Sequence, residues 1–207
     1  LYAILCEQLL LENGVEILYG TSICAAVVEG KKIKAVITEN KTGRQAFAAK
    51  SFIDATGDAD LCHLAGAKTV VFQQGNILAS WYYEHQGDAY RLKVLGFSDI
   101  PDKYKEDGAP QEKRYTGLTG HELSQMVCDS HANILQDFLK GGGITPGHAI
   151  GTIATIPQVR MTRRIDGNYA MCDEEQFTYF EDSIGMIPDW RDPGPVYEIP
   201  FRCLYGN

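Results

Sequence analysis

The sequence contains no C-x-x-C pair, no G-x-S-x-G elbow and no H-x-x-x-H pair. Each absence removes a class of chemistry. Its six cysteines, at positions 6, 24, 62, 128, 172 and 203, lie 18 or more residues apart. Zinc sites and compact disulfide scaffolds show tighter spacing, so separate reduced thiols are expected. Without a nucleophile elbow, a hydrolase of that type has no support. Positive charge is also scarce, with 19 basic against 27 acidic residues and a formal net charge of −8. Such a surface repels phosphate backbones, and no nucleic-acid partner is expected. No apolar run approaches the roughly 20 residues that span a bilayer, and no signal-peptide pattern opens the chain. The expectation is a soluble, cytoplasmic protein without membrane insertion. Composition leaves its oligomeric state open.

What is present is an ordinary globular balance, 44% hydrophobic and 22% charged over 207 residues. Leu1, Ile4, Leu5 and Leu9 fall on one helical face, and Asn13-Gly14 supplies a C-cap. Val15–Tyr19 reads as a short buried strand. A three-stranded antiparallel meander follows over 22–53, turning at Gly30-Lys31 and around Asn40–Gly43. In its second strand Ile33, Ala35 and Ile37 alternate with Lys34 and Thr38, which predicts a half-buried strand. Asp54-Ala55-Thr56-Gly57-Asp58 then breaks the pattern, with Asp58 as N-cap of a short helix ending at Gly66. Residues 67–116 give no clear pattern beyond the aromatics Trp81, Tyr82 and Tyr83 and a polar surface loop over 98–114. Thr119-Gly120-His121-Glu122 is a capping box opening a helix that Gly141-Gly142-Gly143 closes. Five prolines from Pro157 to Pro200 keep the elements of the tail short.

The sharpest local signal is Phe52-Ile53 running into Ala-Thr-Gly. A tight turn of small residues at the carboxyl end of a strand is where open α/β sheets bind ligands. The alternative is a plain strand–turn–helix connection. Histidines 63, 85, 121, 131 and 148 invite a metal or triad reading, against solvated or core roles. Their spacing fits no metal site, so no metal ligand is assigned. The Trp81–Tyr83 cluster is read either as a pocket wall or as core.

Three ordered segments together resemble FAD-dependent oxidoreductases, the two-domain flavoproteins of the glutathione-reductase-like class. The first runs from Gly14-Val15-Glu16-Ile17 through Ile53-Asp54-Ala55-Thr56-Gly57-Asp58 to Ala65-Gly66-Ala67. The second is Pro157-Gln158-Val159-Arg160-Met161-Thr162-Arg163-Arg164-Ile165-Asp166-Gly167. The third is Tyr197-Glu198-Ile199-Pro200-Phe201-Arg202-Cys203-Leu204. The resemblance implies FAD as cofactor, a small organic substrate and redox chemistry. It implies FAD contacts at Thr56, Gly57 and Asp58, with a backbone contact at Ile23. Asp54 is either a part of that site or a structural carboxylate ordering the turn. Arg160 and Arg163 are the catalytic candidates within the densest positive cluster, Arg160, Arg163 and Arg164. The competing reading makes that cluster a set of surface or interdomain ion pairs.

The fold class expected is α/β with α+β. Residues 1–66 form part of an FAD-binding domain, comprising helix, strand, meander and Ala-Thr-Gly turn. Residues 67–207 form mainly a mixed α+β substrate domain, whose last strand returns toward the FAD domain. The family's G-x-G-x-x-G fingerprint is not found. The chain is therefore expected to be the middle of a longer protein, itself inactive and holding FAD weakly or not at all. The alternative is a non-catalytic binding or structural domain derived from a flavoprotein fold.

Overall fold

A computed structural model describes residues 1–95, 113–154, 156–188, 194 and 196–206. The surface loop expected over 98–114 falls almost wholly outside them. The architecture is mixed α+β, with one long helix, two shorter ones and several small sheets among the described residues. The chain divides into two units, Leu1–Thr69 with Ile165–Asn207, and Val70–Arg164.

Unit 1 opens with α1 (Tyr2–Glu12). Gly14 takes φ +72°, Val15 N–H donates to Leu10 O and Gly14 N–H to Leu11 O, the two bonds of a Schellman stop. The expected strand at 15–19 does not form. A strand exists only by pairing with another, and among the described residues nothing pairs with this segment. The meander is β1 (Ser22–Glu29), β2 (Lys32–Asn40) and β3 (Gly43–Ala48), antiparallel in the order β1-β2-β3. Both turns sit where the sequence puts them. Gly30 has φ +60°, and the Asn40 side chain accepts from Thr42 N–H at 2.8 Å. The buried face of β2 is the one carrying Val36 and Thr38, while Ile33, Ala35 and Ile37 are half-buried. β3 stops at Ala48, so residues 49–53 are not strand and Ile53 is 90% exposed. α2 (Asp60–Leu64) packs on β1 and buries Leu61. Later in this unit, β9 (Ser183–Pro188) pairs antiparallel with β10 (Val196–Pro200).

Unit 2 is a sheet under a helix. β5 (Ser80–Gln86) is central, flanked antiparallel by β6 (Ala89–Leu95) and β7 (His148–Ile153). α3 (Gly120–Lys140) packs on β5. Its buried residues Met126, Ser130, Ile134 and Phe138 recur every four residues, a single stripe of a helix. Tyr82, Ile134 and Phe138 form the core, joined by Leu95 and Ile153. The aromatic run is therefore divided between two faces. Tyr82 is core, and its hydroxyl donates to Asp137 Oδ2 at 2.8 Å, while Trp81 and Tyr83 point to the other side of the sheet. Thr119 caps α3 by accepting from Glu122 N–H at 3.2 Å. The Glu122 carboxylate does not close the box. It reaches outward, accepting from the N–H groups of Thr116 at 2.7 Å and Gly117 at 3.0 Å. Two further short strands, β4 (Thr69–Val71) and β8 (Arg163–Ile165), form a two-stranded sheet through which the chain crosses between the units.

Candidate functional site

The Asp54–Asp60 turn is organised by one carboxylate. Asp54 Oδ1 accepts from the Thr56 hydroxyl at 2.7 Å and from Thr56 N–H at 3.1 Å. Its Oδ2 accepts from Cys62 N–H at 2.9 Å, inside α2. Burial, the largest single influence, raises the Asp54 carboxyl's affinity for a proton. The Cys62 and Thr56 hydrogen bonds together outweigh it, and the group sits below the usual carboxylate range. Burial, then the neighbouring Asp54, pushes the Cys62 thiol up to about 11, so it is no thiolate at neutral pH. These bonds show Asp54 ordering the turn.

The start of α2 differs from the expected arrangement. Asp58 is not the N-cap. That position is Ala59, held at φ +51°, and the hydrogen bond to Asp60 N–H at 3.0 Å is accepted by Thr56 Oγ1. Thr56 thus does the capping from four residues back, with its own hydroxyl hydrogen given to Asp54. Gly57, between them, has φ +84°, and a Cβ built on it would meet nothing within 4 Å. The backbone at Gly57 has open space beside it. Ile23, on β1 in the same unit, pairs with Thr38 beside a register shift at Cys24.

Asp54→Ala removes three hydrogen bonds to a carboxylate and is expected to destabilise unit 1 by about 2 kcal/mol. Denaturant unfolding measures this. Because the folded carboxyl holds its proton less tightly than an unfolded one, the contribution is present above about pH 4 and is lost as pH falls through the folded value. An Asp54→Ala protein as stable as wild type at pH 7 would refute the assignment.

These features lie in the stretch that the family comparison singles out. Residues 1–80 match the family model described as FAD dependent oxidoreductase. The match covers α1, the meander, the Asp54–Asp60 turn, α2 and β4, and ends at the first residue of β5. It shows the expected FAD-dependent oxidoreductase likeness for these residues. No curated protein matches the chain, and no solved structure does.

The arginine cluster lies beyond that match, and the structure separates its members. Arg160 is exposed on an irregular stretch, whereas Arg163 and Arg164 are consecutive residues of β8, half-buried and exposed respectively. The stretch is fixed by a residue that no motif indicated. Asn76 is 2% exposed, and its Oδ1 accepts from Arg160 N–H at 2.9 Å and Met161 N–H at 3.0 Å. Its Nδ2 donates to Met161 O at 2.6 Å and Tyr115 O at 3.1 Å. Gly117, at φ +74°, presses on the same stretch: a Cβ there would stand 2.9 Å from both Thr162 and Val159. The histidines do not assemble. His63, His121 and His131 are exposed, His85 stacks edge-on with Tyr90, and His148 is held in the core of unit 2. Among the described residues no group of three or more His, Cys, Asp or Glu is placed to hold a metal ion. No helix among them is long and apolar enough to cross a membrane.

Proposed function

We propose that the chain is the middle portion of an FAD-dependent oxidoreductase acting on a small organic substrate. Residues 1–66 contribute to its FAD-binding domain, and residues 67–207 mainly to its substrate domain, with the last strand returning toward the FAD domain. The observation that carries this reading is the family match over 1–80, which contains a turn with an open glycine. The turn suits a dinucleotide's polar backbone. Gly57 lets it approach the main chain, Asp58 and the Ile23 backbone add contacts, and Thr56 holds the turn's shape. Bound FAD would supply the electron transfer, while the protein binds, orients and excludes water. Arg160 and Arg163 are assigned to the substrate, since guanidinium groups fix carboxylates in bidentate geometry and stabilise charge developing on oxygen.

The test uses the protein with its flanking sequence, loaded with FAD and desalted. A stoichiometric flavin band is expected to survive, whereas the 207-residue chain alone loses it. Arg160→Lys or Arg163→Lys should keep the flavin but slow turnover, with any organic substrate that reduces it, at least about tenfold. Lysine keeps the charge and loses the planar fork, so the loss reports geometry. A parent without flavin is a binding or structural domain instead. Wild-type turnover in both variants would return the arginines to the scaffold.

A further inference from the structure

Asn13-Gly14 ends α1, and it is the one asparagine–glycine step in the sequence. Asparagines 40, 76, 133 and 168 are followed by Lys41, Ile77, Ile134 and Tyr169. The difference is chemical. A peptide nitrogen can attack the carboxamide carbon of the asparagine before it, and a side chain on the nitrogen's own residue crowds that approach. Glycine has no side chain, and its backbone freedom lets the chain reach the attack geometry. Asn13 and Gly14 are both exposed, so water reaches them.

The folded helix end ties up both reactants. Asn13 Nδ2 donates to Leu9 O at 2.8 Å, which anchors the carboxamide back along α1. The Gly14 N–H donates to Leu11 O at 3.0 Å, and the Val15 N–H to Leu10 O at 3.0 Å. Gly14 is meanwhile held at φ +72°. While these bonds stand, neither group is free to turn toward the other. Their hold is local, because α1 buries none of its 11 residues and no core opposes the opening of its last turn.

We propose that Asn13 is a self-modification site, whose conversion to aspartate and isoaspartate is gated by fraying of α1. In the open turn the Gly14 nitrogen bonds to Asn13 Cγ and the Cγ–Nδ2 bond breaks. Nδ2 leaves as ammonia, carrying the hydrogen that the Gly14 nitrogen gives up. One water molecule then opens the cyclic imide. Addition at Cγ gives aspartate. Addition at the main-chain carbonyl carbon gives isoaspartate, whose main chain runs through Cβ and Cγ. Overall one water is consumed and one ammonia released, without oxidant, cofactor or second protein. Neither product restores the original turn. Each puts a carboxylate at the C-terminal end of a helix, where the dipole opposes negative charge, and each lacks the Nδ2 donor to Leu9 O. Isoaspartate also lengthens the main chain by a methylene, which moves the Gly14 and Val15 N–H groups off Leu11 O and Leu10 O. The modification therefore runs one way and leaves α1 looser. It depends on no flavin, so it stands or falls apart from the proposed function.

The experiment incubates the whole chain at one neutral pH, both native and unfolded in guanidinium chloride. Peptide mass mapping, with fragmentation that separates isoaspartate from aspartate, follows position 13 over time. Asn13 should convert in both samples, more slowly in the native one, while asparagines 40, 76, 133 and 168 stay intact in the native chain. Leu11→Gly loosens the last turn at a side chain 57% exposed and leaves the reacting pair unchanged. It should speed native conversion about fivefold, toward the unfolded rate. Equal rates in the native and unfolded chains would overturn the proposal by removing the gate. A native Asn13 that stays intact while the unfolded chain converts would overturn it too, since α1 would then not open. Should Leu11→Gly not fold, the native and unfolded rates of the wild type decide.

Discussion

Gly57→Val should weaken FAD binding by the proposed parent flavoprotein at least about a hundredfold, roughly 2.7 kcal/mol. Two costs combine. A β-branched residue cannot hold φ +84° without strain of about 1–3 kcal/mol. Its side chain also occupies the open side of the turn, where nothing beyond the adjoining residues lies within 4 Å of the Cβ position. That emptiness makes the experiment selective, because the added Cβ meets no atom beyond the adjoining residues. Lys31→Ala, in the exposed turn between β1 and β2, is the control and should leave FAD affinity unchanged. Gly57→Ala should fall between the two, since alanine bears the left-handed backbone better. Fluorescence titration of the apoprotein with FAD reads all three. Equal affinity in folded Gly57→Val and Lys31→Ala would reduce the turn to a plain connection.

Asn76→Ala should destabilise unit 2 by about 3 kcal/mol, because it removes a buried amide that holds three backbone groups of the Arg160–Met161 stretch at once. The amide donates twice and accepts twice, and its loss takes this partner from Arg160 N–H, Met161 N–H and Met161 O, while Tyr115 O keeps the Asn76 backbone N–H at 2.7 Å. Asn76→Asp separates the contributions. The carboxylate can still accept from Arg160 and Met161, but it sets a negative oxygen against two carbonyls. Its loss should approach that of alanine. Denaturant unfolding with an unchanged m-value is the measurement, and a loss below about 1 kcal/mol would mean that water replaces the amide readily.

The legible parts of the sequence were those whose cause is local. Asn13-Gly14, Gly30-Lys31, Thr119 and the three glycines after Lys140 each act through their own backbone, and each ends or starts an element where expected. Strands 15–19 and 49–53 failed for the opposite reason. Apolar composition proposes a strand, but a partner makes one, and the described residues supply none. The hairpin of β5 and β6 carries its signal in the sequence. Its signal is the alternation of buried Tyr82 and Glu84 with Trp81, Tyr83 and His85, closed by Gly87-Asp88 with Gly87 at φ +61°. Three adjacent aromatics hid that alternation by making both faces look apolar. At the site, the open glycine was legible because its need for positive φ is intrinsic. The exchange of capping roles between Asp58 and Thr56 was not, since it depends on Asp54 taking the Thr56 hydroxyl hydrogen. Asn76 was illegible altogether: its partners lie about 39 and 85 residues away along the chain.

The exposure of α1 has a calorimetric consequence. This helix buries none of its 11 residues, and at that length a helix in water is marginal on propensity alone. Its Schellman stop and the Tyr19 hydroxyl's bond to Glu7 at 2.5 Å secure one end and one side chain, without tying it into a core. On heating, its ellipticity should therefore decay gradually from low temperature, ahead of the sharp heat-absorption peaks of the sheets. A melting curve followed at a helical wavelength will then look less cooperative than the calorimetric trace of the same sample.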